Sequence, residues 1–289
     1  MAKTALVTDS AVNLPRDIRD RCGITVVPVH LFLDGRLYRD EVDITCAEFY
    51  HWFRQNPDAH IATACPPPGD FLKAYEALAV DHDAIISVHL ASELSGTFAS
   101  AEQAAALLPT VAVELIDTGS VSMGSGFCVL AAARCLEAGG SAAEAAAAAR
   151  AVAEAVELHA TLATLRYVAR TGRVPAIAAH AGSLLHLHAV ISVEKGRAEL
   201  QRIERSAAKA TRHLIDTVER RLNGRPAHVA VMHADVPEKA LALAEDLSAA
   251  CRCLELVVTE FTPVMGASTG PGLLGAAFYV DGGAEGQVS

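Results

Sequence analysis

Nothing in the 289-residue sequence forms an uncharged apolar run of about eighteen residues, the length a helix needs to cross a bilayer. No membrane span is expected. A basic N-terminal region with a cleavage site is missing too; the chain passes straight into the strand-like Ala5-Leu6-Val7, and no signal peptide is expected. Positive charge is in deficit: 24 Lys and Arg against 34 Asp and Glu give a net charge of −10. That argues against nucleic acid or an anionic membrane surface as the main partner. The chain has no P-loop and no kinase glycine-rich loop, so it holds no recognisable ATP site. The seven cysteines are odd in number and irregularly spaced, which speaks against a disulfide framework and for reduced thiols in the cytoplasm. Cys251-Arg-Cys253 is the one close pair, and it lacks the two-residue spacer of a redox or zinc knuckle.

What is present is alternation. In the first half, short apolar runs at 5–7, 24–29, 84–90 and 111–116 read as strands buried on both faces, with helical stretches between them. Thr45 with Glu48, and Ser141 with Glu144, are capping boxes. The second starts an alanine-rich helix running toward Leu158, and alanine's helix propensity makes an ordinary helix the expectation there. Asp34-Gly35 and Lys195-Gly196 read as hairpin turns. The second half is expected to carry strands at 190–193, 228–232, 256–259 and 276–280, and helices near 162–169, 207–222 and 237–251. The expected class is α/β in two domains, 1–158 and 159–289. The first has a mainly parallel, Rossmann-like sheet and the second a mixed one.

Five polar turns, each after an apolar run, carry the functional signal. They are Thr8-Asp9-Ser10, Thr63-Ala64-Cys65-Pro66, Ser92-Glu93-Leu94-Ser95-Gly96-Thr97, Thr171-Gly172-Arg173 and Gly266-Ala267-Ser268-Thr269-Gly270-Pro271-Gly272. Hydroxyls and backbone N–H groups in tight turns make a cradle for an anionic head group. Each residue also has a plainer reading. Ser95 ahead of a helix can be an ordinary N-cap, Thr63 before prolines an ordinary turn residue, and Arg173 or Arg205 an interdomain ion pair. Cys65 reads as a small buried hydrophobe. Of twelve histidines, His180, His186 and His188 cluster, and His228 and His233 flank a strand, but no acid or cysteine joins them at ligand spacing. No metal site is expected.

In this order the turns resemble the DegV family of bacterial fatty-acid-binding proteins. Its pattern reads T-D-S, T-S-x-P, S-S-x-L-S-G-T, L-x-Y-L-x-x-G-G-R-I and G-x-H-x-G-P-G, with Leu165-Arg166-Tyr167-Val168 and Gly172-Arg173-Val174 matching the fourth motif. The likeness runs from Ala5 to Gly275. Two positions depart: Ala64 replaces the serine of T-S-x-P, and Ser268 replaces the late histidine.

The resemblance implies a carrier with a ligand tunnel between its domains. A long-chain fatty acid would lie there, its carboxylate presented for acyl-phosphate formation by a separate ATP-dependent fatty acid kinase subunit. It further implies carboxylate contacts from Ser95, Thr63 and Ser268, with Thr269 and Gly96. Arg173 and Arg205 would face the phosphate or the kinase, and residues 178–191 would line the acyl cavity. Asp9, Ser10, Ser92 and Thr97 are expected to be structural supports. No cofactor and no catalytic residue are expected. The competing readings are a hydrolase using Ser95 or Cys65, against which the sequence is read as having no G-x-S-x-G elbow, and a binder of another small anion such as a phosphosugar.

Overall fold

A computed structural model describes residues 3–178 and 187–281. His180, His186 and most of the 178–191 segment lie outside the described residues. The first half runs β1 (Thr4–Asp9), α1 (Arg16–Arg21), β2 (Ile24–Val27), β3 (His30–Leu33), β4 (Arg36–Arg39), α2 (Cys46–Gln55), β5 (Ile61–Ala64), α3 (Pro68–Leu78), β6 (Ala84–His89), α4 (Thr97–Ala106), β7 (Ala112–Asp117), α5 (Ser122–Glu137) and α6 (Ala142–Ala155). The second continues with β8 (Glu157–Leu162), α7 (Arg166–Thr171), α8 (Pro175–Ala178), β9 (His188–Glu194), β10 (Arg197–Glu204), α9 (Ala207–Leu222), β11 (Ala227–His233), α10 (Pro237–Ala250), β12 (Cys253–Glu260), α11 (Pro263–Thr269) and β13 (Leu274–Val280).

Three sheets result. β2-β1-β6-β7 is parallel throughout, and β1 and β6 are buried along nearly their whole length, as their unbroken apolar runs require. β4-β3-β5 is a small antiparallel sheet. The third, β10-β9-β8-β13-β11-β12, is antiparallel except for the β11–β12 pair. The two hairpin turns form as their residues dictate: Asp34 and Gly35 have φ of 47° and 83°, Lys195 and Gly196 have 49° and 78°. Positive φ at both central positions matches the twist of the flanking strands. Among the described residues no helix is long and apolar enough to cross a membrane.

Three expectations need correcting. The alanine-rich helix stops at Ala155, and Glu157–Leu162 is strand β8, paired with both β9 and β13. Pairing on two sides outweighs local propensity, which is a weak guide at such a boundary. The 24–29 run divides because Pro28 has no N–H to give a ladder; β2 joins the parallel sheet and β3 starts the small one. The helix expected at 162–169 begins only at Arg166.

Helix α5 is buried over most of its circumference. It touches β1 and β6 of the parallel sheet and β11 and β13 of the mixed one, so one apolar core runs through both halves. Helix α11 is seated by close approach. A methyl group at Gly266 would lie 2.5 Å from Tyr50 Oη and 3.0 Å from Phe49 Cε1, so α11 reaches α2 only because that position is glycine. Gly270, at φ 78°, lies under Tyr167, where a methyl group would come within 2.0 Å of the ring. Tyr167 in turn packs on Phe53, ring centroids 5.1 Å apart.

Gly270→Ala therefore combines backbone strain with overlap. It should cost about 2 kcal/mol or more in urea unfolding, the usual scale of an overpacking substitution with added strain. Adding Tyr167→Ala should recover part of the loss. An unchanged midpoint for Gly270→Ala would contradict this packing account.

Candidate functional site

The strands β1 and β6 end beside one another, and their C-terminal ends are closed by buried side chains. Asp9 accepts hydrogen bonds from the N–H groups of Ala11 (3.1 Å) and Leu90 (3.2 Å), and its Oδ2 lies 2.9 Å from His89 Nδ1. His89 Nε2 is 2.7 Å from Ser87 Oγ, which is 2.8 Å from the Tyr75 hydroxyl. Asp9, His89 and Ser87 have the composition of a catalytic triad. All are at most 1% exposed and none lines the cavity described below, so they act as a polar strut within the core.

Ser10 opens the short 3-10 turn that follows β1. Its hydroxyl donates to Asp40 Oδ2 (2.6 Å) and accepts from Val29 N–H (3.0 Å). The other Asp40 oxygen accepts from Val264 N–H, in the first turn of α11 (3.1 Å). Burial pushes the Asp40 carboxyl up to about 7.

Above these supports lies an apolar cavity lined by both halves of the chain. Its wall is mainly aliphatic: Ala11, Val29, Leu90, Val121, Val168, Val174, Ile191, Val193, Val264 and Met265. Its neck is polar and brings together Thr63, Ser95, Gly96, Thr97, Thr171, Arg173, Ser268 and Thr269. Four of these, Thr63, Thr171, Arg173 and Ser268, also line an outer chamber with Asp58, His60, Tyr167 and Arg170. An ion pair between Arg166 and Asp58 (2.5 Å) joins α7 to the loop ahead of β5 near that chamber.

The hydroxyls of the neck are unequally committed. Thr63 Oγ1 makes no hydrogen bond among the described residues. Ser95 Oγ lies 2.9 Å from Thr97 Oγ1 and accepts from Thr97 N–H (3.3 Å), which leaves the pair one hydroxyl proton to spare. Gly96 approaches Cys65 closely; a methyl group there would lie 3.3 Å from Sγ. Ser268 and Thr269 sit in the last turn of α11 rather than in a free loop. They donate to the carbonyls of Val264 (3.2 Å) and Met265 (2.9 Å). Arg173 Nε donates to Leu94 O (2.8 Å), and desolvation pulls its pKa below the ordinary arginine value.

Other candidates fall elsewhere. Ser92 is exposed, its N–H facing the Asp117 carboxylate (3.2 Å). Arg205 is exposed and lines neither chamber. His228 Nδ1 meets Glu255 (2.6 Å) instead of another histidine. Among the described residues, the His and acid side chains close enough to share an ion are Glu157, His159 and Glu194. Arg221 already contacts both of those carboxylates (3.2 and 3.8 Å).

The expectation that the chain holds no G-x-S-x-G needs correcting at the level of the motif, because Gly266-Ala267-Ser268-Thr269-Gly270 spells it. An elbow needs the serine on a strand-to-helix turn, whereas Ser268 lies at the end of a helix. Among the described residues no histidine hydrogen-bonds to Ser268, Ser95 or Cys65.

Arg170, His60 and Asp40 were not singled out by sequence, and Thr171 stood out only as part of its turn. Arg170 had a usable signal: it lies four residues after Arg166, one turn along the same helix.

The profile of the DegV family, described only as uncharacterised protein, matches residues 3–281. A DegV domain-containing protein of Streptomyces coelicolor is 38% identical over 273 residues, covering 94% of this chain and 96% of that one. One from Mycobacterium bovis is 37% identical over 289 residues, covering 97% and 98%. Among solved structures, a fatty-acid-binding DegV family protein from Thermus thermophilus superposes with a TM-score of 0.88 at 32% identity, covering 96% and 99%. DegV from Bacillus subtilis, described as a fatty acid binding protein, gives 0.87 at 27%, covering 97% and 100%. With a family match over nearly the whole length and full-length relatives of this similarity, the chain belongs to the DegV family.

Proposed function

We propose that this chain is a carrier for a long-chain fatty acid. The tail lies in the apolar cavity, and the carboxylate at the neck is presented to a separate ATP-dependent kinase for acyl-phosphate formation. The observation that carries this reading is the polarity gradient of the cavity, aliphatic within, hydroxyl-lined at the neck and arginine-bearing outside. The fatty-acid-binding relatives from T. thermophilus and B. subtilis support it.

The energetics divide the labour. Each buried methylene contributes about 0.8 kcal/mol gross, so a long tail contributes on the order of ten. A hydroxyl bond to a carboxylate adds about 1.5–3 kcal/mol. Tail burial sets the affinity and the neck decides which end faces out. Thr63 and the Ser95–Thr97 pair have protons to give, and the first-turn amides of α4 add donors. Ser268 and Thr269 must turn their donors away from the helix to join them.

Arg170 and Arg173, which line the outer chamber, take the phosphate oxygens in this reading, and the guanidinium fork is suited to them. Arg205 is assigned to the surface that meets the kinase. The chain provides no ATP site and no catalytic group of its own in this reading. It works in the cytoplasm, where its seven free thiols persist.

Ser95→Ala should weaken binding of a sixteen- or eighteen-carbon acid by about 1.5–3 kcal/mol, measured by fluorescence titration. An unchanged dissociation constant would sink the assignment. Arg173→Ala should leave fatty-acid binding near the wild-type level while acyl-phosphate formation with the cognate kinase falls. Loss of both together would make Arg173 a structural tie through its bond to Leu94 O.

A further inference from the structure

Asp40 is 1% exposed, and among the described residues no cation lies within ion-pair distance of it. The charged and titratable groups of the elements packed around it do not neutralise it. From α1, Arg19 is held by both oxygens of Glu41 (2.8 and 3.2 Å), and Arg16 lies 3.8 Å from Asp20. From α2, burial pushes the Cys46 thiol up to about 12, so it is neutral. From β12, burial raises the Glu260 carboxyl. Hydrogen-bonding groups support a charge on Asp40: the Ser10 hydroxyl and the Val264 N–H, with the Thr262 side chain beside them.

Those bonds reach three segments of the cavity wall. Ala11 follows Ser10, Val29 donates to the Ser10 hydroxyl, and Val264 donates to Asp40 itself; all three residues line the cavity. Helix α11, held through Val264, also places Met265, Ser268 and Thr269 there. We propose that the ionised Asp40 carboxylate is a positioning group for the ligand site, holding α11, the Ser10 turn and the start of β3 in the binding arrangement, and that its protonation loosens ligand binding. This rests on the fatty-acid reading of the cavity.

The physical step is a proton taken from solvent onto a carboxylate oxygen. Protonation removes the charge assistance from the Val264 N–H bond and from the Ser10 hydroxyl bond, which are stronger when the acceptor is ionised. Burial sets the carboxyl at about 7, so the change falls near neutral pH. By linkage, ligand binding must then release protons in that range. Fold stability responds with the opposite sign. An ordinary Asp titrates at 3.8 and Asp40 in the fold at about 7. Between these values the native chain keeps a proton that the unfolded chain has lost, so stability falls as pH rises from about 4 to about 7. A residue with only a structural role would move stability and binding together; Asp40 moves them apart.

The test is titration with cis-parinaric acid from pH 5.5 to 8.5, on wild type and Asp40→Asn, with urea unfolding alongside. Wild type should bind about fivefold more tightly at the alkaline end than the variant does, and the two should converge at the acidic end. Comparing the two proteins at each pH cancels the ligand's own ionisation. Asp40→Asn should also lose the fall in stability toward pH 7. A constant ratio of the two affinities across the range would overturn the proposal. If the variant fails to fold, calorimetry on wild type at pH 7 with a long-chain alcohol, which has no ionisable group, in two buffers of different ionisation enthalpy decides. Proton release on binding supports the assignment, and no release overturns it. Absence of fatty-acid binding by wild type at every pH would instead remove the fatty-acid reading, and this proposal with it.

Discussion

Two carboxylates buried beneath an apolar cavity fix where its walls can stand. Strands that end at a cavity leave backbone N–H groups without partners, and such groups are costly in an apolar setting. Asp9 satisfies those of Ala11 and Leu90; Asp40 satisfies that of Val264 and, through the Ser10 hydroxyl, orders Val29. Four wall segments from both halves of the chain are thereby tied to two side chains. Asp9 has His89 beside it, whereas Asp40 has, among the described residues, hydrogen bonds and no ion-pair partner.

The same wall explains why glycines recur in the late motif. Helix α11 must lie against α2 and beneath Tyr167 of α7 to bring Ser268 and Thr269 to the neck, and Gly266 and Gly270 remove the atoms that would block it. The neck then collects hydroxyls from β5, from the loop before α4, and from the ends of α7 and α11. In the proposed reading, this apolar interior with several donors at one end orients an amphipathic anion and calls on no base or nucleophile. The serine, histidine and aspartate that could have formed a triad are buried in the strut below.

Local chemistry made much of this legible in the sequence. The capping boxes at Thr45 and Ser141 and the turns at Asp34-Gly35 and Lys195-Gly196 depend on neighbours in the chain, and they form as read. Thr63, Ser95, Gly96 and Arg173 stood out as turn residues, and the fold brings them to one neck. What depends on distant partners was not legible. Strand β8 is decided by pairing with β9 and β13, against an alanine-rich helix leading into it. Asp40 carries no local signal; its partners are Ser10 and Val264, the latter 224 residues away. Ser268 looked like a loop donor, but the helix that claims its proton begins five residues earlier. Arg205 and Arg173 read alike in sequence, and only Arg173 lines the cavity.

The claim on which the account rests is that the cavity takes a fatty acid. Purified protein, denatured and extracted into organic solvent, can be examined by mass spectrometry, with native mass spectrometry giving the stoichiometry. The account predicts one long-chain fatty acid per chain, lost when bulky side chains replace the small wall residue Ala11. Recovery of a phosphosugar or another polar anion in its place, or a native mass equal to the bare chain even after incubation with long-chain acids, would contradict it.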